Sequence, residues 1–259
     1  MPTPDGQFVW LDLMTGDADA AAAFYGAVAG WTAHALPAPN EAYRIISADG
    51  VGVGGIVTLS RADRDAGARD GWLGYIWAHD VDAMAARVTD AGGIIYRAAA
   101  DIPEVGRFAV AGDPQGAPFA LFRAKDPSSP APPPAGSTSG RIGWHELHAS
   151  DLDPAFAFYA GLFGWTRADA VDMGPMGLYQ MFAAGHGPVG GMMRRADAAQ
   201  PPGWLHYINV ADIDAAIGRV TKAGGTVVSG PNAVTGGSRI AQCLDVQGTV
   251  FAMVTPASA

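Results

Sequence analysis

The run Phe8-Val9-Trp10-Leu11-Asp12-Leu13 is dense in aromatic and branched apolar side chains, which predicts a strand. Asp17 then stands before an alanine-rich stretch that ends near Phe24-Tyr25, and Gly30 follows. An acidic N-cap and a glycine stop bound a helix. Tyr43-Arg44-Ile45-Ile46 and Val51 to Leu59 predict strands, with Gly50 in the turn between them. The pattern then repeats. Leu73 to Ala78 reads as a strand, and Asp80 or Asp82 caps a helix through Met84, Ala85 and Val88 that stops at Gly92-Gly93. Strands follow near Ile94-Tyr96, Arg107-Ala111 and Pro118-Phe122. Each half of this segment is therefore strand, helix, then about three strands.

The same order returns further along. Gly71-Trp72-Leu73 and Tyr75-Ile76 recur as Gly203-Trp204-Leu205 and Tyr207-Ile208, at an offset of 132. Asp113, Gln115-Gly116 and Phe119-Ala120 recur at that offset as Asp245, Gln247-Gly248 and Phe251-Ala252. Earlier, Phe24-Tyr25 matches Phe158-Tyr159, Gly30-Trp31 matches Gly164-Trp165, and Val53-Gly54-Gly55 matches Val189-Gly190-Gly191. The chain is a duplication. Residues 126–140, rich in Pro, Ser and Gly, predict a semi-extended linker between domains at 1–125 and 141–259.

Composition narrows the function. A net charge of −9, with no basic run, disfavours a nucleic-acid partner. No apolar run reaches the roughly 20 residues of a membrane span, and the first residues carry no basic, apolar leader, so a cytoplasmic protein is expected. Cys243 is the only cysteine, which excludes an intramolecular disulfide.

The pattern Trp144-His145-Glu146-Leu147, Asp151, Phe158-Tyr159, Gly164-Trp165 resembles the vicinal oxygen chelate superfamily, which takes in glyoxalase I, bleomycin-resistance proteins and extradiol dioxygenases. Asp113-Pro114-Gln115-Gly116-Ala117-Pro118-Phe119 adds to the likeness, which covers nearly the whole chain and is nearest to the tandem two-domain subgroup. The resemblance implies an α+β fold of two tandem domains, each built of two βαβββ modules forming an incomplete barrel around a cleft. It also implies metal ligands, typically His and Glu, at matching strand positions. Here those positions fall on Trp10 and Trp144, on Tyr75 and Tyr207, and on Ala120 and Ala252. The remaining position falls within Val53-Gly54-Gly55-Ile56 and Val189-Gly190-Gly191-Met192. A divalent ion needs about three N or O donors. No cofactor is therefore expected, with a divalent metal on displaced ligands as the alternative.

Trp144, Glu146 and His148 alternate on one strand face. Glu146 and His148 could form an acid–base pair or share a metal, with His206 beside Tyr207 as a further donor. Alternatively Glu146 binds backbone donors or an arginine, and His148 sits at a strand end near solvent. The first copy has Asp12 and Met14 at these positions, so such chemistry would belong to the second copy alone. Trp10, Tyr75, Trp77, Trp144 and Tyr207 are expected to line the clefts, with Asp12 and Asn209 as polar contacts; packing in the core is the competing role. Trp72 and Trp204 should seal domain edges, Phe24-Tyr25 and Phe158-Tyr159 should be structural, and Arg107, Arg239 and His79 should face solvent. Cys243 reads as a buried, inert thiol. The glycine runs 50–55 and Gly185-His186-Gly187 lack the lysine and helix of a phosphate loop and suggest close backbone approach instead. The expected activity is binding of a small hydrophobic or aromatic molecule without the standard metal, by a monomer or homodimer. The alternative is a glyoxalase-like lyase or dioxygenase using Glu146 and His148.

Overall fold

The computed structural model describes residues 5–37, 42–126, 137–185 and 187–257. Four βαβββ modules follow one another. The first is β1 (Phe8–Thr15), α1 (Ala18–Ala29), β2 (Thr32–Ala35), β3 (Tyr43–Ala48) and β4 (Val51–Thr58), followed by a short helix α2 (Arg61–Asp65). The second is β5 (Gly71–Trp77), α3 (Val81–Asp90), β6 (Ile94–Ile102), β7 (Gly106–Gly112) and β8 (Pro118–Ala124). The third is β9 (Ile142–Ala149), α4 (Leu152–Phe163), β10 (Thr166–Asp172), β11 (Leu178–Ala183) and β12 (Pro188–Arg194). The fourth is β13 (Gly203–Asn209), α5 (Ile213–Lys222), β14 (Thr226–Ala233), β15 (Arg239–Leu244) and β16 (Val250–Thr255). The strands form two open eight-stranded sheets, ordered β2-β3-β4-β1-β5-β8-β7-β6 and β10-β11-β12-β9-β13-β16-β15-β14. In every module the first and last strands run parallel, and the others pair antiparallel. This is the α+β arrangement of two tandem module pairs that the resemblance implies.

Local chemistry sets the helix ends. Asp17 Oδ1 accepts from the Asp19 and Ala20 amides at 3.1 and 2.9 Å, Asp80 accepts from Ala83 at 2.9 Å, and Asp212 accepts from Asp214 and Ala215 at 2.9 and 3.1 Å. Each satisfies amides that the first helical turn leaves open. Gly30 and Gly164 close α1 and α4 with φ of 74° and 69°, where a side chain would be strained. Two elements escape the hydrophobic pattern. Strand β2 is short and mostly exposed. Helix α2 buries nothing and is held by a capping box, Ser60 against Asp63.

The chain resolves into two compact units. One gathers the described residues of 1–9, 73–133 and 144–204, the other those of 10–72, 134–143 and 205–259. Each unit thus joins one module from each copy. Of the expected linker, 127–136 lies outside the described residues.

In the first unit, Ile76, Val81, Met84, Val88, Phe119 and Leu121 share one core with Leu147, Phe156, Tyr159, Leu162, Phe182 and Met192. The Asp113 turn ties the two modules together. Its carboxylate accepts from the Gln115 and Ala117 amides at 2.8 and 2.9 Å, and from the Tyr159 hydroxyl at 3.3 Å. Gln115 Oε1 in turn accepts from the Ser150 and Asp151 amides at 2.6 and 2.8 Å, while its Nε2 donates to the Asp151 carbonyl at 2.7 Å. One copy's turn therefore holds the chain that leads into the other copy's helix α4. Trp204 does not rim an edge alone; its indole donates to Tyr159 Oη at 3.1 Å inside a cluster with Trp165 and Phe182.

The second unit repeats the device. Leu13, Phe24, Tyr25, Val28, Ile46 and Ile56 pack with Ile208, Ile213, Val220, Phe251 and Met253. Asp245 accepts from Gln247 and Thr249 amides, each at 2.9 Å, and from Tyr25 at 3.2 Å. Gln247 accepts from the Thr15 hydroxyl at 2.7 Å and the Asp17 amide at 2.9 Å. Burial, then the nearby Asp245 and Asp113 charges, push the Tyr25 and Tyr159 phenols well above their usual range. Both remain donors. Cys243 is buried in this unit, and burial pushes its thiol up to about 11.

Candidate functional site

Strand alternation aims Trp144, Glu146 and His148 of β9 to one side. Glu146 is buried, and its Oε1 lies 2.6 Å from His148 Nε2. The His148 side chain remains 28% exposed, within reach of solvent. Trp144 Nε1 donates to Tyr179 Oη at 2.6 Å. Tyr179 arrives from β11, and Gly191 of β12 is the register partner of Glu146. A Cβ added at Gly191 would collide with the Tyr179 ring. The glycine therefore exists to let that ring lie across the strand.

The first copy builds the same device in the other unit, with a different ending. Trp10 Nε1 donates to Tyr43 Oη at 2.8 Å and to Asp12 Oδ1 at 3.0 Å, and Tyr43 donates to the same oxygen at 2.8 Å. Gly55 is the register partner of Asp12, and a Cβ there would meet Asp12 Oδ1 at 2.6 Å and collide with Tyr43. Burial, then the Asp12 charge, raises the Tyr43 phenol far above its ordinary range, so it stays protonated. Asp12 is thus held by an indole and a phenol, with Met14 where the second copy has His148. Of the two readings open for Glu146 and His148, the contact observed is the one between their side chains; Trp10 and Asp12, expected to line a cleft and contact a ligand, bond to each other and to Tyr43.

Tyr75 and Trp77 of β5 are buried and alternate on one face. Tyr75 packs against Phe108 and Phe122, with centroids at 6.4 and 6.2 Å, and Trp77 against Phe122 at 6.4 Å. Arg97 lies over Phe108, 4.7 Å from its centroid. Trp77 Nε1 is buried and meets no acceptor among the described residues. In the other unit, Tyr207 and Asn209 of β13 are also buried. Asn209 Nδ2 donates to the Thr138 carbonyl at 3.2 Å, and its side chain covers Gly143 so closely that a Cβ there would clash. Asn209 therefore anchors the segment entering β9.

The remaining candidates fall to structural roles. Arg107 pairs with Asp82 and Asp101 at 2.7 and 2.9 Å, Arg239 with Asp214 at 2.6 Å, and His79 with Asp5 at 2.7 Å, all at exposed positions. His206 lies on the opposite strand face from Tyr207; burial pushes its imidazole down to about 3 and keeps it neutral. His186 lies outside the described residues. Among the described residues no three His, Cys, Asp or Glu side chains converge as a metal group would require. The positions carried over from relatives hold Trp, Tyr, Ala and Gly, so this donor set does not fit the superfamily's ion. No described helix is long and apolar enough to cross a membrane.

Sequence reasoning missed Tyr43 and Tyr179. Their signal was available: each stands twelve residues before the second glycine of its Val-Gly-Gly, Gly55 and Gly191.

Comparison with known proteins agrees with this architecture. Residues 141–253 match the family model described as Glyoxalase/Bleomycin resistance protein/Dioxygenase superfamily. The chain is 32% identical over 258 residues to "Putative glyoxylase CFP32" of Mycobacterium tuberculosis, covering 96% of this chain and 94% of that protein. It is 31% identical to "Anthracycline biosynthesis protein DnrV" of Streptomyces peucetius, covering 96% of this chain and 93% of that one. The Mn(II)-bound glyoxalase from Novosphingobium aromaticivorans shares the fold with a TM-score of 0.66 at 16% identity, covering 99% of this chain and 83% of that chain. The 2,2',3-trihydroxybiphenyl 1,2-dioxygenase from Sphingomonas wittichii strain RW1 does so with a TM-score of 0.67 at 13% identity, covering 97% and 90%.

Proposed function

Since the chain belongs to the glyoxalase/bleomycin resistance protein/dioxygenase superfamily, we propose that it binds a small aromatic molecule carrying oxygen acceptors, without the standard metal. The observation that carries this reading is the Trp77 indole N–H, buried with its ring against Phe122 and with no acceptor among the described residues. A buried donor left unmade costs roughly 1–3 kcal/mol, which a ligand carbonyl or hydroxyl would recover. The relative whose name refers to anthracycline biosynthesis supports an aromatic, oxygen-rich ligand. Metal independence rests on the donor count, since Glu146 and His148 supply two ligands where three are needed.

A second reading concerns the second copy, and the 2.6 Å Glu146–His148 contact favours it. A buried carboxylate can hold an imidazole in one tautomer while the other nitrogen takes or returns a proton. Acid–base chemistry on a carbonyl substrate, of the glyoxalase-like lyase kind, would then belong to Glu146 and His148 alone.

Both readings are tested by thermal shift and titration calorimetry against planar aromatic ketones and phenols, with and without added Mn(II) or Zn(II). Binding that persists in chelator and weakens at least tenfold in Trp77→Phe supports the first reading. Absence of binding without metal overturns it. Turnover lost in Glu146→Gln and His148→Gln, with binding retained, supports the second, and unchanged turnover in either variant removes it.

A further inference from the structure

The C-terminal ends of the parallel pair β9 and β12 finish together, Ala149 opposite Arg194. Beyond them the chain turns into α4 at Ser150-Asp151-Leu152, and a single 3₁₀ turn, Gly174–Met176, joins β10 to β11. These two connections and the end of β12 flank an open pocket of about 420 Å³ lined by Asp151, Leu152, Pro175, Met176, Leu178 and Arg194. A second hollow of about 240 Å³ continues it past Arg194 to Arg195. Among the described residues neither guanidinium meets a carboxylate, a condition they share with Arg87, Arg97 and Arg219; unlike those, which lie on a carbonyl or a ring, these two stand at a pocket. Met176 and Leu178, at 49% and 43% exposure, leave an apolar wall facing these cations.

The duplication supplies an internal comparison. In the first copy, Thr15 stands opposite Thr58, as Ala149 stands opposite Arg194. The Leu59 amide donates to the Thr15 carbonyl, as the Arg195 amide does to Ala149. The fold therefore forms with Thr58 and Leu59 at these two places. The arginines are not demanded by the scaffold, and they arrive only where a pocket opens between them and an apolar wall.

We propose that this pocket is a second binding site, specific for a small organic monocarboxylate with an apolar body. A planar guanidinium matches a carboxylate with two parallel hydrogen bonds, while Leu152, Pro175, Met176 and Leu178 cover the body. The Asp151 carboxylate lines the same pocket and lacks a helix-cap bond. Its charge repels a second negative charge on the ligand, which favours a monoanion over a phosphate dianion. Neither Trp77, Glu146 nor His148 lines the pocket.

Calorimetric titration of the full chain with 4-phenylbutyrate, its neutral amide and inorganic phosphate tests this. The carboxylate should bind, the amide and phosphate at least tenfold more weakly. Arg194→Gln should cost about 10- to 100-fold in affinity at unchanged melting temperature, and Met176→Asp should also weaken binding. Trp77→Phe and Glu146→Gln should leave it unchanged. Phosphate binding as tightly as the carboxylate, unchanged affinity in Arg194→Gln, or loss of affinity in Trp77→Phe would each overturn the proposal. The last outcome would place the carboxylate at the aromatic wall instead.

Discussion

Replacing Gly191 by alanine is the sharpest test of the Trp–Tyr device. The added methyl would overlap two ring carbons and the hydroxyl of Tyr179, so the ring must leave its place over β12. Overpacking of this kind costs about 1–3 kcal/mol. Moving the ring also breaks the 2.6 Å Trp144–Tyr179 hydrogen bond, worth about 1 kcal/mol net. Alanine restricts the unfolded chain more than glycine and returns roughly 0.4–1 kcal/mol. The net loss is roughly 1–3 kcal/mol, or a fall in Tm of about 2–12 °C for a chain of this size. Urea unfolding of Gly191→Ala should show that loss. In a Tyr179→Ala background the methyl has space, and the same substitution should be neutral or slightly stabilising. The double-mutant cycle then yields a coupling of at least about 1 kcal/mol. Equal costs in both backgrounds would refute the view that the glycine serves the tyrosine. Gly55 and Tyr43 should give the same cycle in the first copy.

Three further outcomes follow from burial. His206 has its pKa pushed down to about 3, against about 6.5 unfolded, so between these values the unfolded state holds a proton that the folded state lacks and stability rises with pH. Moving from neutral pH to pH ~4.5 should cost about 2.7 kcal/mol through this group; His206→Leu should flatten that slope, and parallel profiles for the two proteins would contradict it. Asp113→Ala leaves two amides and the Tyr159 hydroxyl without their acceptor, so urea unfolding should register a loss of about 3 kcal/mol or more; a loss below about 1 kcal/mol would mean the turn is not the tie between modules. Cys243, buried with its thiol raised to about 11, should react with a thiol reagent only as fast as the protein unfolds; rapid labelling of the native protein would disprove its burial.

What the sequence displayed and what it concealed divide along a physical line. The helices were legible because their ends are local chemistry: Asp17, Asp80 and Gly30 act on amides or backbone angles within a few residues. The strand hosting Glu146 and His148 was legible through its period of two, and the contact between them needs no more than that alternation. The reach of Gln115 to Ser150 and Asp151, and of Gln247 to Thr15 and Asp17, has no local signature, because 35 and 232 residues separate the first partners. Nothing nearby in sequence tells a glutamine which distant amide it will meet. Tyr43 and Tyr179 were hidden differently: a lone tyrosine on a strand reads as packing until the glycine it covers is identified.

The duplication also sorts residues by role. Where both copies agree, as at Asp113 and Asp245, Tyr159 and Tyr25, or Gly191 and Gly55, the shared residue performs one task of the scaffold twice, and the hydrogen bonds coincide. Where the copies differ at equivalent register, the scaffold tolerates both, so the difference is free to serve a ligand. Asp12 against Glu146 and Met14 against His148 turn a carboxylate held by Trp10 and Tyr43 into one that holds an imidazole. Thr58 against Arg194 adds a cation with no partner among the described residues beside a pocket. Both asymmetries fall in the second copy. If function has concentrated there, exchanging Glu146 and His148 for the first copy's Asp and Met should abolish acid–base activity while leaving the unfolding midpoint within about 1 kcal/mol of the parent. Activity that survives the exchange would mean that the shared residues, not the divergent ones, do the chemistry.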